Sequence, residues 1–300
     1  MNPVISESSG TAKGVIAGLT GFLFLALTGI CVKFEFKYGA TAEWIILIQY
    51  LTGLIIILII ASRNNFKDLR TSNLKFQFIR GITGILAFTC YVTAISRIPI
   101  VNASLLNNSA PLFIPIVTLI WLKNKIDEKI WWGIIVGFTG IVFILDPSAG
   151  DLIKKGDLYG IASGILLAVS YVALGELTKT ENFISILFYY TLSGIILSLP
   201  FAIFNFNVPP LIVWIYGISA GLLFISYLYL IQFAYRYVKA VKLAPLNFSV
   251  VVFMGILDWL IFDNVPGLFS LIGIVLVSFG GILAISLHEK DNKDLKHHWH

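Results

Sequence analysis

The chain has 300 residues, of which 58% are hydrophobic and 12% are charged, and its mean hydropathy is +0.89. Soluble domains carry roughly 25% charged residues, so a water-soluble fold of this length could not enclose so much apolar surface. The composition therefore predicts an all-α integral membrane protein whose solvent is the lipid bilayer. The formal charge of +5 indicates basic cytoplasmic loops rather than a nucleic-acid partner.

Ten stretches are apolar enough to cross a bilayer, since a helical crossing takes roughly 17–25 residues. In chain order, the ten predicted transmembrane helices cover about residues 15–34, 43–61, 75–97, 99–122, 130–146, 157–178, 183–204, 211–234, 240–262 and 267–287. The links between these spans are short, so no soluble domain fits between them.

Positive charge is distributed unevenly between alternate loops. With the N-terminus placed inside, the inner segments hold fifteen Lys and Arg residues and the outer loops hold five. Cytoplasmic loops carry this excess in membrane proteins. We therefore predict a multi-pass protein of the cell inner membrane with both termini cytoplasmic. Lys33, close to the outer end of span one, is expected to extend toward water.

The sequence also contains a weak internal repeat. The Lys-Gly pair and following Gly at residues 13–18 return at residues 155–160, 142 positions later. Gly133 and Gly140 of span five recur in span ten at an offset of 140 positions. Agreement at both ends of the two halves indicates a duplication.

Each half of the chain holds an odd number of predicted spans, so the second half enters the membrane from the opposite side. We predict two inverted five-helix repeats, residues 14–146 and 156–287, followed by a cytoplasmic tail at residues 288–300. Inverted repeats are common in secondary transporters, where two halves rock around a central binding site.

Several short motifs resemble a known family in their order and spacing. They read Arg80-Gly81, Cys90-Tyr91-x-x-Ala94, Ile98-Pro99, Ala110-Pro111-Leu112-Phe113, Gly137-Phe138-Thr139-Gly140, Ala244-Pro245-Leu246-Asn247-Phe248 and Phe262-Asp263-Asn264-Val265-Pro266. Together they resemble the drug/metabolite transporter superfamily, specifically its EamA-type ten-helix carriers. The segment Ile186-Leu187-Phe188-Tyr189 also resembles bacterial S-adenosylmethionine carriers of that family. The family commonly has a Glu after spans four and nine, where this chain has Asn124 and Asn264.

Polar side chains in the hydrocarbon region are costly and usually face a cavity or another helix. Asn107 and Asn108 lie near the middle of span four, and Asn247 lies within span nine. These residues are predicted to bind substrate, although bonding between helices is the alternative for each. Nearby prolines support a cavity, because Pro111 and Pro245 each deprive a helix carbonyl of its partner.

Further substrate-binding candidates lie in other spans. Gln49 and Gln232 could donate hydrogen bonds to a solute or connect helices. The family resemblance implies that Tyr91, Ser170 and Tyr171 line the cavity, if spans three and six surround it.

Asp258, about one turn from the outer end of span nine, is a candidate coupling residue that could bind a proton or simply contact water. The sequence contains no phosphate-binding loop, no zinc-protease motif and no pair of cysteines spaced as metal ligands. We therefore predict no catalytic residues, no metal and no cofactor.

The resulting functional prediction is a secondary transporter that moves a small polar organic metabolite by alternating access. Its substrate could be an amino acid, S-adenosylmethionine, a vitamin or a similar solute. An intramembrane lipid-modifying enzyme and a channel-like membrane protein are the alternatives. The expected partners are the small-molecule substrate and the lipid bilayer, and the protein is expected to act as a monomer or homodimer.

Overall fold

A computed structural model describes the backbone of residues 3–123, 128–145, 154–204, 208–237, 249–265, 267–280 and 283. Within these ranges, some helical residues are described without their side chains, namely residues 3–11, 122, 128–130, 144–145, 232 and 235–236. Over these ranges the secondary structure is helical, with no strand. The helices are α1 (Pro3–Lys37), α2 (Ala42–Ser62), α3 (Leu74–Ile95), α4 (Ile100–Asn107), α5 (Ala110–Leu122), α6 (Glu128–Leu145), α7 (Lys155–Leu177), α8 (Phe183–Phe204), α9 (Leu211–Tyr237), α10 (Ser249–Phe262) and α11 (Leu268–Gly280).

The described part of the chain contains seven apolar segments long enough to cross a membrane. Six of them lie within α1, α2, α3, α7, α8 and α9, and the seventh combines α4 and α5. Three further apolar helices, within α6, α10 and α11, are shorter. The predicted all-α membrane architecture is thus confirmed in the described ranges, while the count of ten crossings stays a prediction.

Helices of the two halves interlock in a pattern that repeats when the halves are exchanged. α1 packs along α9, and α7 packs along α3. α2 contacts α9, as α8 contacts α3, and α2 and α8 contact each other. α10 packs on α1, as α4 and α5 pack on α7. The first helix of each half therefore lies against the third and fourth helices of the other half.

Individual contacts follow the same pattern. The Tyr50 hydroxyl of α2 donates to the Tyr190 hydroxyl of α8 at 3.1 Å, and these two residues are 140 positions apart. Gly221 of α9 lies against α2, where an added Cβ would come within 2.7 Å of Thr52 Cβ. Gly81, again 140 positions earlier, makes the equivalent close approach to α8 from α3. Small residues bring helix backbones close together in membrane proteins.

Two loops meet at the end of the bundle that carries the α2–α3 loop. The backbone N–H and the hydroxyl of Ser72 both donate to Glu181 Oε1, at 2.9 and 2.7 Å. The Asn182 amide donates to Asp68 Oδ1 at 3.0 Å. We call this end the α2–α3 end, and the opposite end, which carries the α1–α2 turn, the α1–α2 end.

We predict that the α6–α11 contact has no room for a methyl group. A Cβ at Gly280 would overlap the Gly137 backbone and lie 2.7 Å from the Gly133 carbonyl oxygen. Gly280→Ala should therefore cost about 1–3 kcal/mol, a range measured for overpacked cores, and lower the apparent melting temperature in detergent. Gly175→Ala in α7 is the control, because open space surrounds that position. Equal melting temperatures for the two variants would contradict this packing.

The Ser72–Glu181 contact predicts a pH dependence of stability. Burial acts to raise the pKa of Glu181, but hydrogen bonds from Ser72, Thr71 and Asn73 together outweigh it and lower this pKa below its usual 4.5. The stabilisation should be complete above that usual value and disappear as pH falls through the lowered pKa. Melting curves between pH 7 and 3 should show a steeper acid loss for the wild type than for Glu181→Gln. Parallel curves would exclude this contribution.

Candidate functional site

The fourth predicted span is interrupted near its middle. α4 ends at Asn107, and α5 begins at Ala110 with Pro111 in its first turn. Proline fits best in the first turn of a helix, because it has no N–H to continue an existing hydrogen-bond ladder. The chain tightens at the junction, where the Ser109 N–H donates to the Leu106 carbonyl oxygen at 3.3 Å. Asn107 is half-buried at this junction.

Polar groups at the α4–α5 junction are enclosed by protein. The Asn108 amide donates to the Ser104 carbonyl oxygen at 2.8 Å, and the Ser109 hydroxyl donates to the Leu106 carbonyl oxygen at 2.5 Å. A Cβ on Gly164 of α7 would lie only 2.6 Å from that Leu106 oxygen. Glycine thus lets α7 cover the junction, as irregular backbone at membrane depth requires.

A buried polar cluster lies nearer the α1–α2 end, where α1, α3, α4 and α10 converge. The hydroxyls of Tyr91 and Ser104 are 2.9 Å apart, and the Tyr91 hydroxyl contacts the Met254 sulfur at 3.6 Å. A Cβ on Gly29 of α1 would lie 2.8 Å from Met254 Cε. We call Tyr91, Ser104, Met254 and Gly29 the Tyr91 cluster. Its members come from both halves of the chain.

A second buried cluster surrounds Arg80 of α3. Arg80 Nη1 donates to the Ser170 carbonyl oxygen at 3.3 Å and to the Ser170 hydroxyl at 3.1 Å. The guanidinium carbon lies 4.8 Å from the centroid of the Tyr190 ring. Arg80 is only 7% exposed, and no carboxylate pairs with it among the described residues. Its charge is thus balanced by dipoles and an aromatic ring, which leaves capacity for an anion.

A buried ion pair lies at the α1–α2 end. Lys33 Nζ of α1 lies 2.5 Å from Asp258 Oδ1 of α10, and it also lies 4.1 Å from the centroid of the Phe262 ring. Lys33 stays 21% exposed near the end of α1, but Asp258 and Phe262 hold its ammonium group against α10 rather than leaving it free in water. Asp258 itself is 1% exposed, so the alternative of a water-exposed carboxylate is wrong.

Another buried carboxylate lies where α1, α2 and α9 meet. Glu35 is fully buried, and neither of its oxygens has a hydrogen-bond partner among the described residues. The Gln49 amide lies beside it without a hydrogen bond of normal geometry. A Cβ on Gly217 would lie 2.7 Å from Glu35 Oε1, so α9 closes directly over this carboxylate. Such a group in a membrane protein is a functional candidate.

The site residues predicted from the sequence lie in different parts of the bundle. Tyr91 lies in the Tyr91 cluster, Ser170 in the Arg80 cluster and Gln49 beside Glu35. Tyr171 is 36% exposed and does not point the same way as Ser170, since neighbours on a helix differ by about 100°. Asn247 and Pro245 lie outside the described residues, as does the side chain of Gln232.

Sequence reasoning did not select Arg80, Glu35, Ser104 or Met254. The signal for Arg80 was present, because it places a charge inside predicted span three, whereas Glu35 lies just beyond the end of predicted span one. Ser104 and Met254 carried no such signal, since both are common residues of apolar helices. Their role depends on contacts with Tyr91, which only the packing reveals.

Comparison with known proteins identifies the family. The model of the EamA-like transporter family matches residues 12–146 and again residues 154–287. The chain belongs to the EamA-like transporter family. The resemblance to EamA-type carriers is confirmed, and the chain is a multi-pass membrane transporter rather than an enzyme.

Two groups of relatives carry transport names. The chain is 24% identical over 264 residues to the pseudopaline exporter of Pseudomonas aeruginosa (strain UCBPP-PA14), covering 88% of this chain and 92% of that protein. It is 29% identical over 213 residues to the S-adenosylmethionine uptake transporter of Rickettsia bellii, covering 70% of this chain and 72% of that protein. Relatives of this family member therefore include both an exporter and an importer.

A solved structure without a functional description supports the fold alone. It is 17% identical in sequence, has a TM-score of 0.62 and covers 94% of this chain and 98% of its own.

We predict that the Arg80 charge is not required for folding. Removing an incompletely paired buried charge recovers its desolvation penalty, and the Ser170 hydroxyl still donates to the residue-80 backbone carbonyl oxygen at 3.2 Å. Arg80→Gln should therefore melt in detergent at or above the wild-type temperature. A large drop in melting temperature would instead make Arg80 a structural residue.

Proposed function

We propose that this EamA-family transporter is a secondary carrier that moves a small polar organic metabolite by alternating access. In this proposal ten helices form two inverted five-helix repeats, residues 14–146 and 156–287, with both termini in the cytoplasm of a bacterial cell. The carrier resides in the inner membrane. One chain contains both halves and suffices as a monomer, with a homodimer as the alternative.

The exchange pattern of helix contacts supports the inverted repeat. If the halves are related by a two-fold axis in the membrane plane, each inter-half contact has a partner contact at the same sequence offset. Tyr50 and Tyr190 are equivalent positions that contact each other directly, which is expected only on the axis itself. α5 and α10 also follow this pattern, because each contacts the first helix of the opposite half.

One observation carries the transport proposal: charged residues are buried between helices of opposite halves. Arg80 lies between α3 and the second-half helices α7 and α8, and Asp258 of α10 lies against α1. Charges at membrane depth are expensive and typically mark a solute pathway. The pathway would connect these two charges through the Tyr91 cluster and the α4–α5 junction.

The proposed binding residues follow from this pathway. The solute would lie on the α2–α3 side of the Tyr91 cluster, in contact with Asn107, Asn108 and Ser170. Tyr91 would contact it from the side of the α1–α2 end. Asn247, Gln232 and Gln49 remain further binding candidates from the sequence, with Tyr171 the weakest because of its exposed side chain. Pro111 and Pro245 would set the helix breaks around the solute.

The Tyr91 cluster would act as the barrier toward the outside. Tyr91, Ser104 and Met254 are buried and in mutual contact, so no solute can pass between them in this conformation. Separating α10 and α1 from α3 and α4 would break the contacts of Met254 with Tyr91 and Ser104 without breaking any backbone hydrogen bond. Such rigid-body rocking of one group of helices against another is the usual mechanism of carriers with inverted repeats.

S-adenosylmethionine is the first solute to test, since relatives named for its uptake cover more than two thirds of the chain. The purified protein in proteoliposomes loaded with unlabelled S-adenosylmethionine should take up the labelled compound in a saturable way. Stimulation of this uptake by unlabelled solute inside the vesicles distinguishes a carrier from a channel. Amino acids and vitamins should then be loaded into the vesicles in its place and tested in the same exchange assay.

We predict that Arg80→Gln reduces this exchange at least tenfold, because the Arg80 cluster loses its positive charge. The matched control is Arg97→Gln, which removes the same charge from an exposed position just beyond α3. The control should keep exchange within about twofold of wild type, as surface charges contribute little. Flux that is neither saturable nor stimulated by internal solute, for every metabolite tested, would reject the proposal.

A further inference from the structure

A polar cavity opens at the α1–α2 end, apart from the Tyr91 cluster. Its volume is about 200 Å³, and it lies between the start of α4, the end of α10 and the start of α11. The lining residues are Pro99, Val101, Asn102, Asp258, Asp263, Asn264, Val265, Gly267 and Ser270. Two of these residues are acidic, and no Lys or Arg is among them.

Asp258 lines this cavity with a carboxylate that has one unsatisfied oxygen. Its Oδ1 is held by Lys33, while its Oδ2 is buried and has no hydrogen-bond partner among the described residues. A buried oxygen of a carboxylate without a donor costs more than a neutral group left unpaired. A donor that enters the cavity and reaches Oδ2 would recover that penalty.

Other oxygen atoms of the lining are placed to accept hydrogen bonds. The Ser270 hydroxyl donates to Asn102 Oδ1 at 2.9 Å, which leaves the lone pairs of the hydroxyl oxygen as acceptors. At the cavity rim, Asp263 ends α10 with a left-handed backbone, φ 56°, where glycine would fit with less strain. An aspartate at this position adds a second negative charge to the rim.

We propose that this cavity binds the ammonium group of an organic cation, with Asp258 Oδ2 as its principal acceptor. The inference rests on the proposed transport function, because it assigns the cationic group of the transported solute to an outer recognition site. Asp258 thereby acts in binding charge rather than as the coupling residue suggested by the sequence alone.

Charge balance and size both favour an organic ammonium group. Asp258 and Asp263 together carry two negative charges, and Lys33 offsets one of them, so a single cation neutralises the site. A cavity of about 200 Å³ would hold roughly seven waters at about 30 Å³ each. That space is too large for one dehydrated metal ion and fits an ammonium group with a few attached carbons.

Lys33 would act as an internal competitor for the same carboxylate. Its side chain is 21% exposed and rests on the Phe262 ring, so it keeps a favourable position if Asp258 turns toward a bound cation. Removing the Lys33 charge should therefore strengthen binding of an external ammonium ion. A purely structural ion pair makes no such prediction.

The test measures binding of radiolabelled ethanolammonium to the full-length protein in detergent. Asp258→Asn should weaken binding at least tenfold, and Lys33→Met should strengthen it at least threefold. Glu43→Gln is the matched control, because it removes the same charge at the same end of the bundle from a residue outside the cavity lining, and it should weaken binding less than threefold. The double variant with Lys33→Met and Asp258→Asn leaves no charge unpaired at the ion pair and should also lose binding.

Unchanged binding in a folded Asp258→Asn or double variant would overturn the inference, as would weaker binding in Lys33→Met. If potassium competed as effectively as unlabelled ethanolammonium, the assignment of an organic cation to this cavity would be overturned. Tetramethylammonium, which has no N–H, should compete at least tenfold less well. S-adenosylmethionine exchange that persists without ethanolammonium binding would reject only this inference, whereas binding without solute exchange would reject the proposed function.

Discussion

The fold depends on an interlock in which the first helix of each half packs against the third helix of the other half. Lipid offers no hydrophobic drive between helices, so association relies on close backbone approach and on satisfied polar groups. Gly84 of α3 supplies such an approach to α7, where an added Cβ would lie 2.8 Å from Ser170 Oγ, and the Tyr50–Tyr190 hydrogen bond joins α2 to α8 where the halves meet. Because α1 lies on α9 and α7 lies on α3, neither half has a complete packing surface of its own. Any movement between the halves is therefore a movement of whole helix groups.

This interlock explains why the polar residues cluster where they do. The bundle buries Arg80, Glu35 and Asp258 in separate places, and each lies between helices from both halves. A rocking motion would change the surroundings of all of them at once while the helices stay intact. The Tyr91 cluster lies between the Arg80 cluster and the cavity of Asp258, and its side-chain contacts are those that such a motion would break. Packing and the proposed transport pathway thus involve the same inter-half surfaces.

The order of the motifs predicted the family. Apolar length predicted the helical architecture and the approximate positions of the described helices, because it is a direct requirement of the bilayer. It also predicted an irregularity at Pro111, which lies at the α4–α5 junction, from the missing N–H alone. It could not predict which side of each helix faces inward, since spans that are apolar all round have no polar stripe to orient them. For that reason the sequence does not separate Tyr171 from Ser170, and it gives no sign that Lys33 pairs with a residue 225 positions away. Which of the asparagines bind solute stays a prediction.

The central claim is that the halves are inverted copies that enter the membrane from opposite sides. The direct measurement is thiol labelling in intact cells after both native cysteines, Cys31 and Cys90, are replaced by serine. Tyr38→Cys and Thr180→Cys occupy exposed loop positions 142 residues apart, so they are equivalent under the proposed repeat. A membrane-impermeant maleimide should label position 38 from outside, and position 180 only after the cells are opened. Labelling of both positions from the same side would contradict the inverted repeat and the account of transport built on it.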